Sequence, residues 1–338
     1  VAPRTRGLSL KELRRLEAAA IRSTAALASG SADGASLVIL LFHRVLAEPD
    51  PLLPSEPDAA LFERQMQVVA QCFRPLPLSE GISRLRAGSL PRRAVCVTFD
   101  DGYANNLEVA APILLRLEIP ATVYVATDFA DGGLMFNDTI IEAIRSAPAD
   151  LDLRDVGLGH LQLCDSRSRI AAIDAIIQAI KYEPSGVRIE RLSSLLRAAQ
   201  KASLPRLMMT EPQIRTLRRL GFEIGAHSAT HPILRSISHS ESVSEIHRSK
   251  ERLEGILGES VRSFAYPNGK PGQDFDLSHV GIARDAGFDF ALTTSWGAAS
   301  RLSPAHQLPR ISPWDQTAAR FALRISAAYR QRHFHVAQ

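Results

Sequence analysis

Short apolar runs alternate with helix-period stretches along most of this chain. Residues 37–42, 94–99, 121–126, 222–225, 263–266 and 290–293 are runs of the length and composition of strands buried on both faces. Between them, residues 58–71, 79–87, 106–116, 211–220, 241–257 and 277–286 place apolar side chains at helical spacing. Buried strands linked by helices predict an α/β protein built on a parallel sheet or barrel. Reactive residues are then expected just past the C-terminal ends of the strands.

Three stretches depart from this rhythm. Residues 132–204 show no convincing strand and predict helices over 139–146, 166–181 and 186–201, a helical insertion that either shapes a cleft or packs on the body. Residues 8–28 predict a helix with Leu10, Leu13, Leu16, Ala20 and Leu27 near one face and Lys11, Arg14, Arg15 and Arg22 elsewhere, followed by a Gly/Ser/Asp-rich linker over 29–35. Such a basic amphipathic helix docks on its own protein or makes peripheral contact with a membrane surface. A last helix is expected over 315–332, with Asp315 as its N-cap. The expected organisation is therefore an N-terminal helix and linker (1–36), a barrel in two pieces (37–131 and 205–316), the insertion (132–204) and a C-terminal helix and tail (317–338).

Composition narrows the class. The 338 residues are 45% hydrophobic and 22% charged, enough to bury a large core. Forty Lys and Arg against 36 Asp and Glu leave a net charge of +4, with the basic residues scattered, so no nucleic-acid partner is expected. Cys72, Cys96 and Cys164 are widely spaced in mostly apolar company, which predicts buried free thiols and a reducing, cytoplasmic setting. The longest apolar run is far short of the ~20 residues of a membrane helix, and no signal-peptide pattern lies near the start.

Two motifs carry chemistry. The run Thr98-Phe99-Asp100-Asp101-Gly102-Tyr103 puts adjacent carboxylates at the exit of a buried strand. Adjacent acids in that position are costly unless a cation neutralises them. The run Gly225-Ala226-His227-Ser228-Ala229-Thr230-His231-Pro232 follows another strand, and its two histidines converge on one metal if the turn between them is tight. Two His and one carboxylate leave open positions for water, the pattern of catalytic metal sites.

Together these motifs resemble the NodB-type polysaccharide deacetylases, carbohydrate esterase family four, over about residues 37–131 and 205–313. The resemblance implies a distorted parallel (β/α) barrel. It also implies hydrolysis of N-acetyl groups on an N-acetylated amino sugar of a poly- or oligosaccharide, by water activated at a divalent metal, commonly zinc. By the same resemblance Asp101, His227 and His231 hold the metal and Asp100 is the general base. Where the family has Arg-x-Pro-Tyr, this chain has Ala265-Tyr266-Pro267-Asn268, so the Arg that steadies the base is missing. Arg310, in Leu308-Pro309-Arg310-Ile311, is the candidate replacement, with a surface ion pair as its alternative. The backbone N–H of Asn268 is the candidate donor to the oxyanion. No Leu-x-His motif for the general acid is evident. His43, in Leu41-Phe42-His43-Arg44-Val45, resembles the N-terminal motif of the branch of biofilm poly-N-acetylglucosamine deacetylases, and is preferred over His306.

The remaining candidates stay open between function and packing. Trp296 and Trp314 follow late strands and either stack on a sugar face or pack, and Asp138 either caps a helix or faces the cleft, capping being favoured. An O-acetyl esterase or other amidase on the same barrel, and a carbohydrate-binding protein without catalysis, are the competing functions.

Overall fold

The computed structural model describes residues 10–30, 34–131, 133–183, 185–201 and 203–338. Its strands are β1 (Ser36–Phe42), β2 (Arg74–Pro75), β3 (Ala94–Phe99), β4 (Ala121–Val125), β5 (Asp150–Leu153), β6 (Gly159–Gln162), β7 (Glu223–Ala226), β8 (Ser263–Ala265), β9 (Phe290–Leu292) and β10 (Ala299–Ser300). Its helices are α1 (Leu10–Ala28), α2 (Ala59–Cys72), α3 (Leu78–Arg86), α4 (Ala111–Arg116), α5 (Phe136–Ser146), α6 (Ser166–Ile180), α7 (Ser185–Ala198), α8 (Glu211–Arg219), α9 (His239–Leu257), α10 (Leu277–Asp285) and α11 (Ala318–Ala328).

The main sheet runs β10-β1-β3-β4-β7-β8-β9, parallel throughout except for β10, with β2 added beside β3. It curls until its ends meet through the extended segment 308–311. Leu308 N–H donates to Ala291 O on β9, and Ile311 N–H donates to Ile39 O on β1, both at 2.9 Å. A strongly curled parallel sheet ringed by helices is the distorted NodB-type barrel that the resemblance implies. Alternate residues divide the core. Leu37, Ile39, Cys96, Tyr124, Leu292 and Leu308 pack together with Leu78, Ile82 and Leu85 of α3, whereas Val38, Leu40, Val95, Val97 and Val123 meet the other helices. This is the period-two alternation of a sheet covered on both sides, which is why its strands read as continuous apolar runs.

The insertion differs from its prediction. Beside α5, α6 and α7 it holds the antiparallel hairpin β5–β6. The signal was present: Asp150-Leu151-Asp152-Leu153 alternates exposed and buried positions, and Gly157 and Gly159 take positive φ at the turn. Its core, with Ile140, Ile144, Leu151, Leu153, Ile173 and Ile176, is separate from that of the barrel.

The N-terminal helix also differs. It docks through Ala18, Ile21, Ala25 and Ala28, while Ala20 is exposed and Leu27 is 76% exposed. The expected start at residue 8 and the side chains of Leu10, Lys11, Leu13, Arg14, Arg15 and Leu16 lie outside the described residues. Small residues let α1 approach α2 and α11 closely, and that contact outweighs the placement of Leu27. The last helix starts later than expected, capped by Thr317, because Asp315 is engaged in an ion pair with Arg324. Cys72 and Cys96 are buried free thiols as expected, but Cys164 is exposed. No helix among the described residues is long and apolar enough to cross a membrane.

Gly225 marks the tightest point of the barrel wall. A Cβ there would overlap the Tyr124 ring and come within 2.8 Å of Ser263 Oγ. Gly225→Ala is expected to lower the unfolding free energy in urea titrations by about 1–3 kcal/mol through overpacking.

Candidate active site

The C-terminal ends of the strands deliver the sequence-predicted residues to one cleft of about 280 Å³. His43 follows β1, Asp100 and Asp101 follow β3, His227 follows β7, Asn268 lies past β8 and Thr294 past β9, and all line it. Asp100 is registered by its N–H, which donates to Phe42 O at 2.9 Å. His227 N–H donates to Val125 O at 3.0 Å, continuing the pairing of β4 with β7.

Asp101 Oδ1 lies 3.4 Å from Nε2 of both His227 and His231, and one ligand atom from each of the three residues falls within 4.8 Å of the others. The 227–231 segment is a tight turn rather than a helix. Ser228 Oγ accepts from His231 N–H at 3.1 Å, and the Glu245 carboxylate accepts from the N–H groups of Ala229 and Thr230. His227 Nδ1–H donates to Ala265 O at 2.7 Å, which turns Nε2 toward Asp101; burial would lower the His227 pKa, but Asp100 and Asp101 outweigh it and raise it. Burial alone would raise the Asp101 pKa, but the hydrogen bond from His227 and the charges of His231 and His43 hold it well below the usual carboxylate range. Burial pushes His231 down to about 4, only partly opposed by Asp101. Asp101 is thus ionised and His231 neutral near pH 7, the states in which each offers a lone pair to a cation. The donor set, its convergence and the fixed orientation of the His227 ring fit a divalent metal.

Asp100 borders that cluster, its Oδ2 3.9 Å from His227 Nε2, but both of its oxygens are engaged elsewhere. Its two oxygens accept from Arg310 Nη1 and Nη2 at 2.7 and 2.6 Å, a bidentate pair with Asp100 2% and Arg310 1% exposed. Arg310 also donates through Nε to Thr293 O at 3.0 Å. Burial would raise the Asp100 pKa, but the Arg310 and His227 charges outweigh it and lower the pKa. Arg310 is thus a buried partner of Asp100 rather than a surface ion pair.

His306 does not reach the cleft. Its Nε2 lies 2.8 Å from Phe288 O, before the start of β9 and at the opposite end of the barrel. Asn268 lines the cleft with φ of +59°. It shares the left-handed region with Asp101, Ser228 and His231, at +76°, +59° and +56°. Non-glycine residues held this way cost about 1–3 kcal/mol each and collect at functional sites.

Sequence reasoning missed part of the wall. Arg44, Glu56, Tyr103 and Thr294 line the cleft, and the insertion adds Asn137, Asp138 and Ile141 from α5. Asp138 does not cap its helix. It accepts from Tyr103 Oη at 2.9 Å and from Arg44 Nη1 at 3.1 Å, with the Arg44 guanidinium 4.7 Å over the Tyr103 ring. Arg44 and Tyr103 each belong to a recognised motif run, which was the available signal; Glu56 sits in a loop without one.

Burial pushes the Asp138 carboxyl up to about 6, only partly offset by Arg44 and Tyr103. The folded state then holds this proton more tightly than the unfolded chain, whose Asp titrates near 3.8. The resulting stabilisation is complete below the unfolded pKa and is lost as pH rises through about 6. The unfolding free energy of wild type minus that of Asp138→Asn should therefore fall between about pH 4 and pH 7, by on the order of 3 kcal/mol. A difference independent of pH would contradict this.

Comparison with known proteins agrees with the geometry. The chain is 25% identical over 279 residues to YxkH of Bacillus subtilis (strain 168), named as a polysaccharide deacetylase, covering 82% of this chain and 71% of that protein. Its fold matches that of the Streptococcus pyogenes deacetylase PplD in complex with acetate, with a TM-score of 0.58 at 19% identity over 86% of this chain and 98% of that one. It also matches IcaB from Ammonifex degensii, with a TM-score of 0.55 at 18% identity over 87% and 97% of the respective chains. Residues 87–291, more than half of the chain and including both motifs, match the polysaccharide deacetylase family, to which this protein belongs.

Proposed function

We propose that the protein is a metal-dependent N-deacetylase acting on an N-acetylated amino sugar within a poly- or oligosaccharide, and that it lies in the biofilm-type branch. The observation that carries this reading is the separation of two carboxylates adjacent in sequence. Asp101 converges with His227 and His231, while Asp100 is turned onto Arg310.

Asp101, His227 and His231 would hold the cation, for which zinc suits two imidazoles and a carboxylate. When bound, it supplies Lewis-acid chemistry at the acetamide carbonyl. Asp100 accepts the proton of the attacking water, and Arg310 keeps it ionised and oriented for that role. The Asn268 N–H, which has no hydrogen-bond acceptor among the described residues, donates to the developing oxyanion. His43 gives a proton to the amine as the C–N bond breaks, releasing acetate and the free amino sugar. A proton donor in the cleft supports an amide over an ester substrate, because an amine leaves only when protonated.

Acetate release from N-acetylated and O-acetylated glycans is the direct test. Release from the N-acetylated glycan should vanish with a chelator and return with added zinc. Asp100→Asn should lower kcat by about 10²–10⁴-fold, and unchanged turnover by this variant would remove Asp100 as the base. His43→Ala should depress N-deacetylation far more than any residual ester hydrolysis; equal losses on both would remove His43 as the acid.

A further inference from the structure

The two tryptophans of this chain stand together outside the catalytic cleft. Their ring centroids are 5.5 Å apart at 44°, with Trp314 55% and Trp296 36% exposed. Large aromatic rings left in water as a pair are unusual on a protein surface and mark a recognition site. They line a groove of about 670 Å³ that runs along α11, within the size range of small-molecule sites.

The pair is rigidly built. The Arg324 guanidinium lies 4.1 Å from the Trp314 ring centroid and 5.4 Å from that of Trp296. Arg324 is itself pinned by Asp315, with Nη2 2.9 Å from Oδ1. A side chain stacked and paired in this way holds the rings in place before any ligand arrives. Gln316, Thr317, Arg320 and Gln331 give the groove hydrogen-bonding groups around its aromatic floor.

Its position ties it to the cleft. Trp296 lies two residues past Thr294, which lines the cleft, and Trp314 lies four residues past Arg310, which holds Asp100. At the maximal reach of an extended chain, these separations are no more than about 7 and 14 Å. The two loops are joined where Arg310 N–H donates to Ser295 O at 3.0 Å. These short separations put the groove within reach of a polymer that has one residue in the cleft.

We propose that this groove is a second saccharide subsite, which binds a neighbouring sugar ring of the chain whose acetylated residue occupies the cleft; this rests on the deacetylase reading. The apolar C–H face of a pyranose lies on the exposed indoles, and its hydroxyls meet the Gln, Thr and Arg side chains. The groove selects polymeric over monomeric substrate.

Because both tryptophans line this groove, intrinsic tryptophan emission reports on it alone. Hexamers of N-acetylglucosamine, in β-1,4 and β-1,6 linkage, should shift the emission of the full chain saturably to shorter wavelength with at least one linkage, and the monomer at equal concentration should not. Trp314→Ala should lower the hexamer-to-monomer ratio of kcat/KM by about tenfold, mainly through KM on the hexamer, and Trp314→Phe should restore most of that ratio. Unchanged emission with both hexamers, or an unchanged ratio in Trp314→Ala, overturns the proposal. So does an emission shift produced by phosphatidylglycerol vesicles but not by saccharide, which would make the patch a membrane contact. A saturable shift with hexamer and no acetate release from any glycan supports the groove as a saccharide site and removes the reaction instead.

Discussion

A carboxylate and a guanidinium buried together at the mouth of the barrel join most of what matters in this protein. Asp100 leaves β3, and Arg310 lies on the segment that bridges β9 to β1, so their bidentate pair forms only when the curled sheet has closed on itself. Either charge alone at this burial would be strongly destabilising, on the order of 3–5 kcal/mol when a partner is removed. The same contact helps keep Asp100 ionised and occupies both of its oxygens. Barrel closure and the pairing of Asp100 are thus one structural event.

Around this pair the protein tolerates several locally unfavourable arrangements. Asp101, Ser228, His231 and Asn268 all take positive φ, and acids and imidazoles crowd into a small buried volume. Each is supported from outside the cleft. Glu245 on α9 gathers the N–H groups of the 227–231 turn, the Ala265 carbonyl fixes the His227 ring, and the parallel strands set where each loop begins. The insertion completes the wall through α5, where Asp138 links Tyr103 beside the aspartate motif to Arg44 beside His43. An element with its own apolar core therefore reaches the loops after β1 and β3 through one buried carboxyl. The Trp296–Trp314 groove begins a few residues past Thr294 and Arg310 and runs along α11.

Much of this was legible along the chain, and the reasons differ by feature. The strands of the curled sheet were visible because both of their faces are buried, which writes an uninterrupted apolar run. Asp100, Asp101, His227 and His231 were visible because the acids are adjacent and the histidines lie four residues apart, a spacing that the local sequence records. The β5–β6 hairpin was written in the alternation of Asp150 to Leu153 but was obscured by the helices on either side. The docking face of α1 was misjudged because Leu27 outweighs alanine on any hydrophobicity scale, whereas close helix packing here uses Ala18, Ala25 and Ala28.

What the sequence determined by itself was therefore local: which segments extend or coil, which acids sit side by side, and which histidines share a turn. Only the tertiary structure decided which distant groups meet. It paired Arg310 with Asp100 across more than two hundred residues, placed His43 in the cleft and His306 at the far end of the barrel, and turned Asp138 from a helix cap into a wall of the site. The physical reason is that charge pairing and burial depend on distance in space, and in a barrel that distance is set by strand order and closure, which no local pattern records.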